Sequence, residues 1–465
     1  MIKQHPFIRS AYKRLPAFMS SIAASLYSSK MAKRKYGRIY REWRARLEET
    51  QNYSSADISV WQSSALESFL ASINRTSIYY NSDPYQLYIK KGYNPYEIIQ
   101  SFPIIDKEMV RASADRIRSA ENRKAQIRFT TSGTTGTSLS VYQDVAAYER
   151  EYAFRWKYLS VAGAVRKDRF AYFIGNTLYE TDRRRPPYHM IDHAENGLYF
   201  SIFHIADWSI KDYVKALNEF KPSFIKGYPS ALYDFCKLAR NEGLDVVPQK
   251  AVFTASEVLH KYQRNLIESC FQSKIFQWYG QVETTVNIHE CRNHKLHVKE
   301  EYGLLELLDD DDMPALPGMN AHAIGTGWGN NAFPLVRYRT GDNMVLADDQ
   351  YCDCGMNGRI IDRIVGRDED VIVTPDGRYL GRLDFIFKPI ESVKESQIIQ
   401  TSKEKVLVRV VAESGLSSRV ERELRTILMD YLGTGMQISF EEVGMIPRSA
   451  NGKIRYVISN IGKQR

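Results

Sequence analysis

Between residues 169 and 280 the chain repeats one alternation of apolar and amphipathic stretches. The short apolar runs RFAYFIG (169–175), SFIKGYP (223–229), KAVFTAS (250–256) and KIFQWYG (274–280) predict strands. The stretches between them have helical spacing. IKDYVKALNEF (210–220) sets Ile210, Tyr213, Val214 and Leu217 on one side. SALYDFCKLARNEG (230–243) does the same with Leu232, Phe235, Cys236 and Ala239, and Gly243 supplies a stop signal. HKYQRNLIESCF (260–271) predicts a third helix, and Cys236 and Cys270 fall on apolar helix faces, which assigns them to the core. Strands alternating with helices over short connections predict a parallel sheet covered by helices, with ligands beyond the strands' C-terminal ends.

The pattern changes near residue 300. Strand signals crowd between turn-rich segments such as DDDDMP and PDG, and the next helical stretch is SRVERELRTILMDYL (418–432). VLVRVVAE (406–413) before it and QISFEEV (437–443) after it predict a small α+β unit. The expected fold class is α/β: a large N-terminal domain over 1–367 with helix-covered, mostly parallel sheets, and a small α+β C-terminal domain over 368–465.

With 465 residues, 43% hydrophobic and 26% charged, the chain is long enough for two globular domains. No apolar run approaches the roughly 20 residues of a membrane span, and the stretch Leu15 to Tyr27 is broken by serines. Five cysteines give no disulfide framework, so a cytoplasmic location is expected. The net charge of +9 gathers at Lys30, Lys33, Arg34, Lys35, Arg38 and Arg41 and at Arg183–Arg185. That charge is compatible with a solvated surface or with an anionic partner, including peripheral contact with lipid headgroups. No nucleic-acid motif accompanies it, and no nucleic-acid partner is expected. Oligomeric state is not legible.

Candidate chemistry begins at RFTTSGTTGTSLSVY (128–142). Thr, Ser and Gly fill residues 130–138 between two strand-like flanks, a setting unlike a flexible linker. A glycine turn between strands can aim N–H groups and hydroxyls at an anion, and no Gly-Lys-Ser/Thr follows to make it a Walker loop. Four further segments follow in order: WYGQVE (278–283), YRTGD (338–342), GRDEDVI (366–372) and PRSANGKIR (447–455). Together the five resemble the motifs of the adenylate-forming superfamily of acyl-CoA synthetases, peptide-synthetase adenylation domains and luciferases. KPSFIKGYPSAL, TASEVL and NNAFPLVRYRTGD are similar to its phenylacetate–CoA ligase branch, and within that to the CapK-type proteins of capsular polysaccharide biosynthesis.

The resemblance implies a small mobile C-terminal domain and an ATP-dependent reaction. A small-molecule carboxylate and ATP give an acyl-adenylate and pyrophosphate, and the acyl group then passes to coenzyme A or to an amine or hydroxyl of a sugar. By the same resemblance Thr131, Ser132, Gly133, Thr134, Thr135 and Gly136 hold the ATP phosphates. Thr137-Ser138 stands where many relatives carry Pro-Lys, which makes the phosphates more dependent on magnesium. Glu283 takes the Mg2+ role, suited to a hard cation, and Tyr279 with Gly280 flanks adenine, while Val282 replaces the usual Thr. Asp342 and Arg367 correspond to the ribose contacts, Glu369 to the hinge, and Lys453 to the mobile catalytic lysine.

One constellation stands outside these motifs. Cys352-Asp353-Cys354-Gly355 is a tight thiol pair, and HECRNHKLHV holds Cys291 and His297, with His289 and His294 nearby. Two readings remain: a structural Zn2+ site of Cys291, His297, Cys352 and Cys354, or reduced cysteines with hydrogen-bonded histidines. The rival to the enzyme reading is a non-catalytic nucleotide-binding partner in a polysaccharide-synthesising complex.

Overall fold

The computed structural model describes residues 17–82, 94–121, 123–130, 139–175, 178–179, 183–367, 372–375, 379–380, 392–412, 415–433, 435–448 and 455–461. The chain divides into two units, 1–340 with 345–363, and 341–344 with 364–465.

The first unit opens with helices α1 (Ala17–Lys35), α2 (Arg38–Thr50) and α3 (Ser55–Thr76), then the short α4 (Pro95–Ser101), α5 (Lys107–Ala112) and α6 (Ala114–Ile117). A separate antiparallel hairpin follows, β1 (Ile127–Thr130) and β2 (Ser140–Gln143), and then α7 (Val145–Leu159). Strands β3 (Phe170–Ile174), β4 (His189–Asp192), β5 (Gly197–Ser201), β6 (Phe224–Gly227), β7 (Ala251–Ala255) and β8 (Ile275–Gly280) alternate with α8 (Ile210–Phe220), α9 (Pro229–Asn241) and α10 (Lys261–Phe271). Then come β9 (Asn287–Glu290), β10 (Leu296–Val298), β11 (Leu304–Leu308), β12 (Asn320–Gly327), β13 (Leu335–Leu346) and β14 (Ile360–Arg367). One twelve-stranded sheet takes them in the order β11-β12-β13-β14-β10-β9-β8-β7-β6-β3-β5-β4. The run β5-β3-β6-β7-β8 is parallel, as the strand–helix alternation requires, and the flanking strands β4 and β9 join it antiparallel.

Register divides the parallel run into two unlike faces. Phe173, Phe200, Ile225, Val252 and Ile275 pack with α8–α10 into an apolar core that also takes in Cys236 and Cys270. Tyr172, Lys226, Phe253 and Phe276 point the other way, and Tyr158 of α7 joins the aromatic cluster on that face.

On α7 the residues Glu149, Arg150 and Glu151 are all buried. Arg150 Nη2 donates to the carbonyls of Glu301 and Tyr302, 2.8 Å each, and its guanidinium lies 4.5 Å from the Trp43 ring and 4.7 Å from that of Tyr302. A Cβ on Gly329 would sit 1.7 Å from Arg150 Nη1, so only glycine leaves room there. Glu149 accepts from the Tyr40 backbone N–H (3.1 Å), placing a carboxylate at the N-terminus of α2.

The serines of α1 have a use the sequence did not reveal. Ser21 and Ser25 Oγ accept from the backbone N–H groups of Ile191 and His193, at 3.2 and 2.9 Å, along the sheet-edge strand β4. No described helix is long and apolar enough to cross a membrane.

The second unit carries β15 (Ile372–Val373), β16 (Tyr379–Leu380), β17 (Val393–Ser402), β18 (Lys405–Ala412), α11 (Ser418–Leu432), β19 (Gln437–Glu442) and β20 (Val457–Ser459). Its sheet runs β19-β18-β17-β20, and Leu424, Leu428 and Leu432 of α11 pack on Ile398, Val406, Val408 and Val410.

Replacing Arg150 by Met should strand two buried carbonyls without their donor. We expect a loss of about 2–5 kcal/mol in urea unfolding, far above the cost of an exposed arginine such as Arg38.

Candidate active site

Strand β8 ends at Gly280, and the chain turns through 281–286 with Thr284 in the left-handed region (φ 57°). This turn carries Glu283. The Tyr338 hydroxyl on β13 donates to Glu283 Oε1 at 3.3 Å, which joins the second motif to the YRTGD segment. The Val282 carbonyl accepts from Gln143 Nε2 (3.3 Å) at the end of β2, so the hairpin lies against the same turn. That hairpin flanks the Thr/Ser/Gly loop: Thr130 pairs with Ser140, and Arg128 donates to Ser140 Oγ at 2.8 Å. The loop residues Thr131, Ser132, Gly133, Thr134, Thr135 and Gly136 lie outside the described residues, as do Glu369 and Lys453. Tyr279 and Gly280 close β8 immediately before the turn.

In the second unit Arg367 Nε stands 3.5 Å from Asp342 Oδ1, so the two residues expected to contact ribose are neighbours.

Sequence reasoning passed over Lys226, although a single charge inside an otherwise apolar strand is a readable signal. Its amine lies 5.4 Å from the Trp278 ring centroid. Burial, then the Arg155 guanidinium, push that amine down to about 7, and Glu151 offsets them only in part. Arg155 lies 5.0 Å over the same Trp278 ring and donates to Glu151 Oε1 at 3.0 Å, while Glu151 Oε2 accepts from the Tyr302 hydroxyl at 2.6 Å.

The four candidate zinc ligands are brought together. Cys291, His297, Cys352 and Cys354 present ligand atoms that all lie within 4.8 Å of one another. Antiparallel pairing of β10 with β14 (His297↔Ile360) closes the long gap between the two halves. Cys291 and Cys352 Sγ are 3.8 Å apart, and Cys354 Sγ is 3.4 Å from His297 Nε2. His297 Nδ1 lies 3.2 Å from the Asn357 carbonyl, which orients the ring with Nε2 toward the thiols, and burial pushes the imidazole down to about 4. Backbone N–H groups of Asn293 and Met356 reach Cys291 and Cys354 Sγ at 3.4 and 3.3 Å. His289 and His294 are not part of this group. His289 faces Trp278, and His294 Nδ1 lies 2.8 Å from Glu290.

The basic clusters are partly absorbed. Lys35 pairs with Glu195 at 3.3 Å, Arg183 stacks on Tyr179 and Arg184 on Trp208.

A mixed sheet with its acidic turn at the C-terminal end of a parallel strand, beside a Thr/Ser/Gly hairpin and ahead of a small α+β unit, is the arrangement of the adenylate-forming superfamily. In sequence and in fold the chain is similar to AMP-forming ligases of that superfamily. It is 24% identical over 460 residues to Protein CapK of Staphylococcus aureus, covering 97% of this chain and 99% of that one. Residues 372–460 match the CapK C-terminal domain family. Indoleacetate–lysine synthetase of Pseudomonas savastanoi is 25% identical over 281 residues, 59% of this chain and 66% of its own. Among solved structures, 2-hydroxyisobutyryl-CoA ligase in the postadenylation state, in complex with 2-HIB-AMP, has a similar fold. Its TM-score is 0.67 at 16% identity, over 89% of this chain and 92% of that one.

The Lys226 environment has a consequence for stability. An amine whose folded pKa lies near 7, against the usual 10.5, costs stability in full below about pH 7, and the cost fades as pH rises toward 10.5. Lys226→Met should therefore raise the thermal midpoint most near pH 7 or below. The gain over the parent should shrink steadily in scans taken toward pH 10.

Proposed function

We propose that the chain activates a carboxylic acid as its acyl-adenylate and then hands the acyl group to an acceptor. The carrying observation is Glu283, held by Tyr338 at the end of β8 beside the hairpin of the Thr/Ser/Gly loop. The carboxylate oxygen attacks the α-phosphorus of ATP. The bond to the β-phosphate's bridging oxygen breaks, and pyrophosphate leaves. In the second half the acceptor's thiol, amine or hydroxyl attacks the acyl carbon and AMP leaves.

Each residue has a task in this scheme. The Thr131–Gly136 loop cradles the β- and γ-phosphates with N–H groups and hydroxyls. Asp342 accepts from the ribose hydroxyls and Arg367 braces it. Lys453 brings a point charge to the reacting carboxylate and α-phosphate, and Glu369 is the pivot between half-reactions. Glu283 fits a magnesium ion: it is a carboxylate beside the buried Thr284 hydroxyl, which has no partner among the described residues. Bound there, magnesium would neutralise phosphate charge as the anions approach.

The resemblance to CapK over nearly the whole chain, with an indoleacetate–lysine synthetase among the relatives, favours an amine or hydroxyl of a sugar as acceptor in surface-polysaccharide assembly. Coenzyme A is the second reading, favoured by the fold shared with a CoA ligase. The test is pyrophosphate release from ATP, magnesium and a broad acid library, followed by transfer to coenzyme A, amino sugars and sugar alcohols. Glu283→Gln and Lys453→Ala should each slow adenylate formation by ~10²–10³. An absence of pyrophosphate with every acid would leave the non-catalytic nucleotide-binding reading.

We infer also that Cys291, His297, Cys352 and Cys354 hold a structural zinc ion. A tetrahedral site needs about 3.8 Å between sulfurs and about 3.5 Å between sulfur and nitrogen. The observed 3.8 and 3.4 Å meet both. The ion would tie the β9–β10 hairpin to the segment between β13 and β14. Elemental analysis should find about one zinc per chain, and cobalt replacement should give thiolate charge-transfer bands. Cys352→Ser should lose the metal and unfold at lower temperature. A zinc-free protein of unchanged stability would exclude the site.

A further inference from the structure

The face of the sheet under α7 carries polar groups that no described residue satisfies. Register puts Lys226 on the same side as Phe253, and Trp278, His289, Gly280 and Asn287 on that side too. Asn287 is 1% exposed, and neither atom of its amide has a partner among the described residues. Trp278 Nε1 and both ring nitrogens of His289 are likewise buried and unpartnered. Lys226 makes no hydrogen bond or ion pair among the described residues. Native folds rarely leave buried donors and acceptors this way unless water or a ligand completes them.

Two of these groups meet at Gly280. A Cβ there would lie 3.1 Å from Trp278 Nε1 and 3.3 Å from Asn287 Nδ2, and Gly280 itself is exposed. The absent side chain therefore leaves a notch that faces two buried N–H donors. It adjoins Tyr279 and the Glu283 turn at the C-terminal ends of the parallel strands, where α/β sheets take their ligands. Charge near the notch is unbalanced. Arg155 is cationic beside the Lys226 amine, and the carboxylate of Glu151 is already held by Arg155 and the Tyr302 hydroxyl. The ring of Trp278 supplies a flat apolar wall between them.

We propose that Lys226, the Trp278 indole N–H and the Asn287 amide form the acyl-recognition subsite, and that the acid activated here carries a second oxygen acceptor, a hydroxyl, oxo or carboxylate group, on its acyl chain. This inference rests on the adenylation reading and specifies its substrate class. A plain alkyl or aryl acid would leave the indole N–H and the amide buried and unpaired, and the half-buried Lys226 amine without an acceptor. An oxygen-bearing acid completes them, and a site built to hydrogen-bond a group rejects the analogue that lacks it.

The test uses acids in matched pairs that differ by one oxygen function, such as a hydroxy acid and its deoxy counterpart. Pyrophosphate release gives kcat/KM, and calorimetry on the full chain with AMP gives binding without turnover. We expect the oxygenated member of at least one pair to be favoured tenfold or more. Lys226→Met and Trp278→Phe, the second keeping the ring and removing only the N–H, should reduce that preference to threefold or less. The KM for ATP should stay the same, and thermal unfolding should report an intact fold. Equal use of both members, or a preference that survives both substitutions, overturns the subsite while leaving adenylation standing. Pyrophosphate from no acid, with no acid bound by calorimetry, overturns the adenylation reading and this inference with it.

Discussion

The first unit is organised around a charge that cannot reach water. Arg150 lies on α7 with its guanidinium enclosed by Trp43, Phe154 and Tyr302, and its Nη2 donates to two backbone carbonyls. Those carbonyls belong to the turn between β10 and β11, so the contact fixes helix and sheet at a set distance. An apolar residue would fill the space and leave the carbonyls unmet. With α7 fixed in this way, its other charged residues must also face inward. Glu151 and Arg155 then arrive over Trp278 beside Lys226. One face of the sheet is an ordinary apolar core, and the other is an aromatic cluster that also carries Lys226 beside Trp278.

Much of this was legible in the residue pattern, and the reason is local. The helices Ile210–Phe220 and Ser418–Leu432 fall where their apolar spacing put them, because a single buried stripe on each meets a single sheet. The strands of the parallel run were readable as short apolar segments for the same reason. Helices α1 to α3 were not. The serines that interrupt the apolar pattern of α1 serve the edge of a strand some 170 residues away, and no window along the chain contains both partners.

The candidate site divides along the same line. Glu283, Asp342 and Arg367 were legible because their segments carry recognisable spacing, and the structure pairs Asp342 with Arg367. Tyr338 stood inside a recognised motif without a task until Glu283 appeared beside it. The four residues of the Cys/His group were readable by type, but their closeness was not, since the halves meet through the β10–β14 pairing. Lys226, Trp278 and Asn287 come from three different strands, and their relation exists only across the sheet.

The edge of β4 bears on how the protein behaves in a crowd. An outermost strand presents free amides that any passing strand could extend. Here α1 lies along that border, and two serine hydroxyls already occupy the amides of Ile191 and His193. The N-terminal helix thus acts as a guard against sheet-to-sheet self-association. A chain trimmed before residue 36 would keep the core beneath α8–α10 and its acidic turn and yet present a bare strand. Solubility would then fail before catalysis did, and short forms of this protein would be lost to precipitation rather than to inactivity.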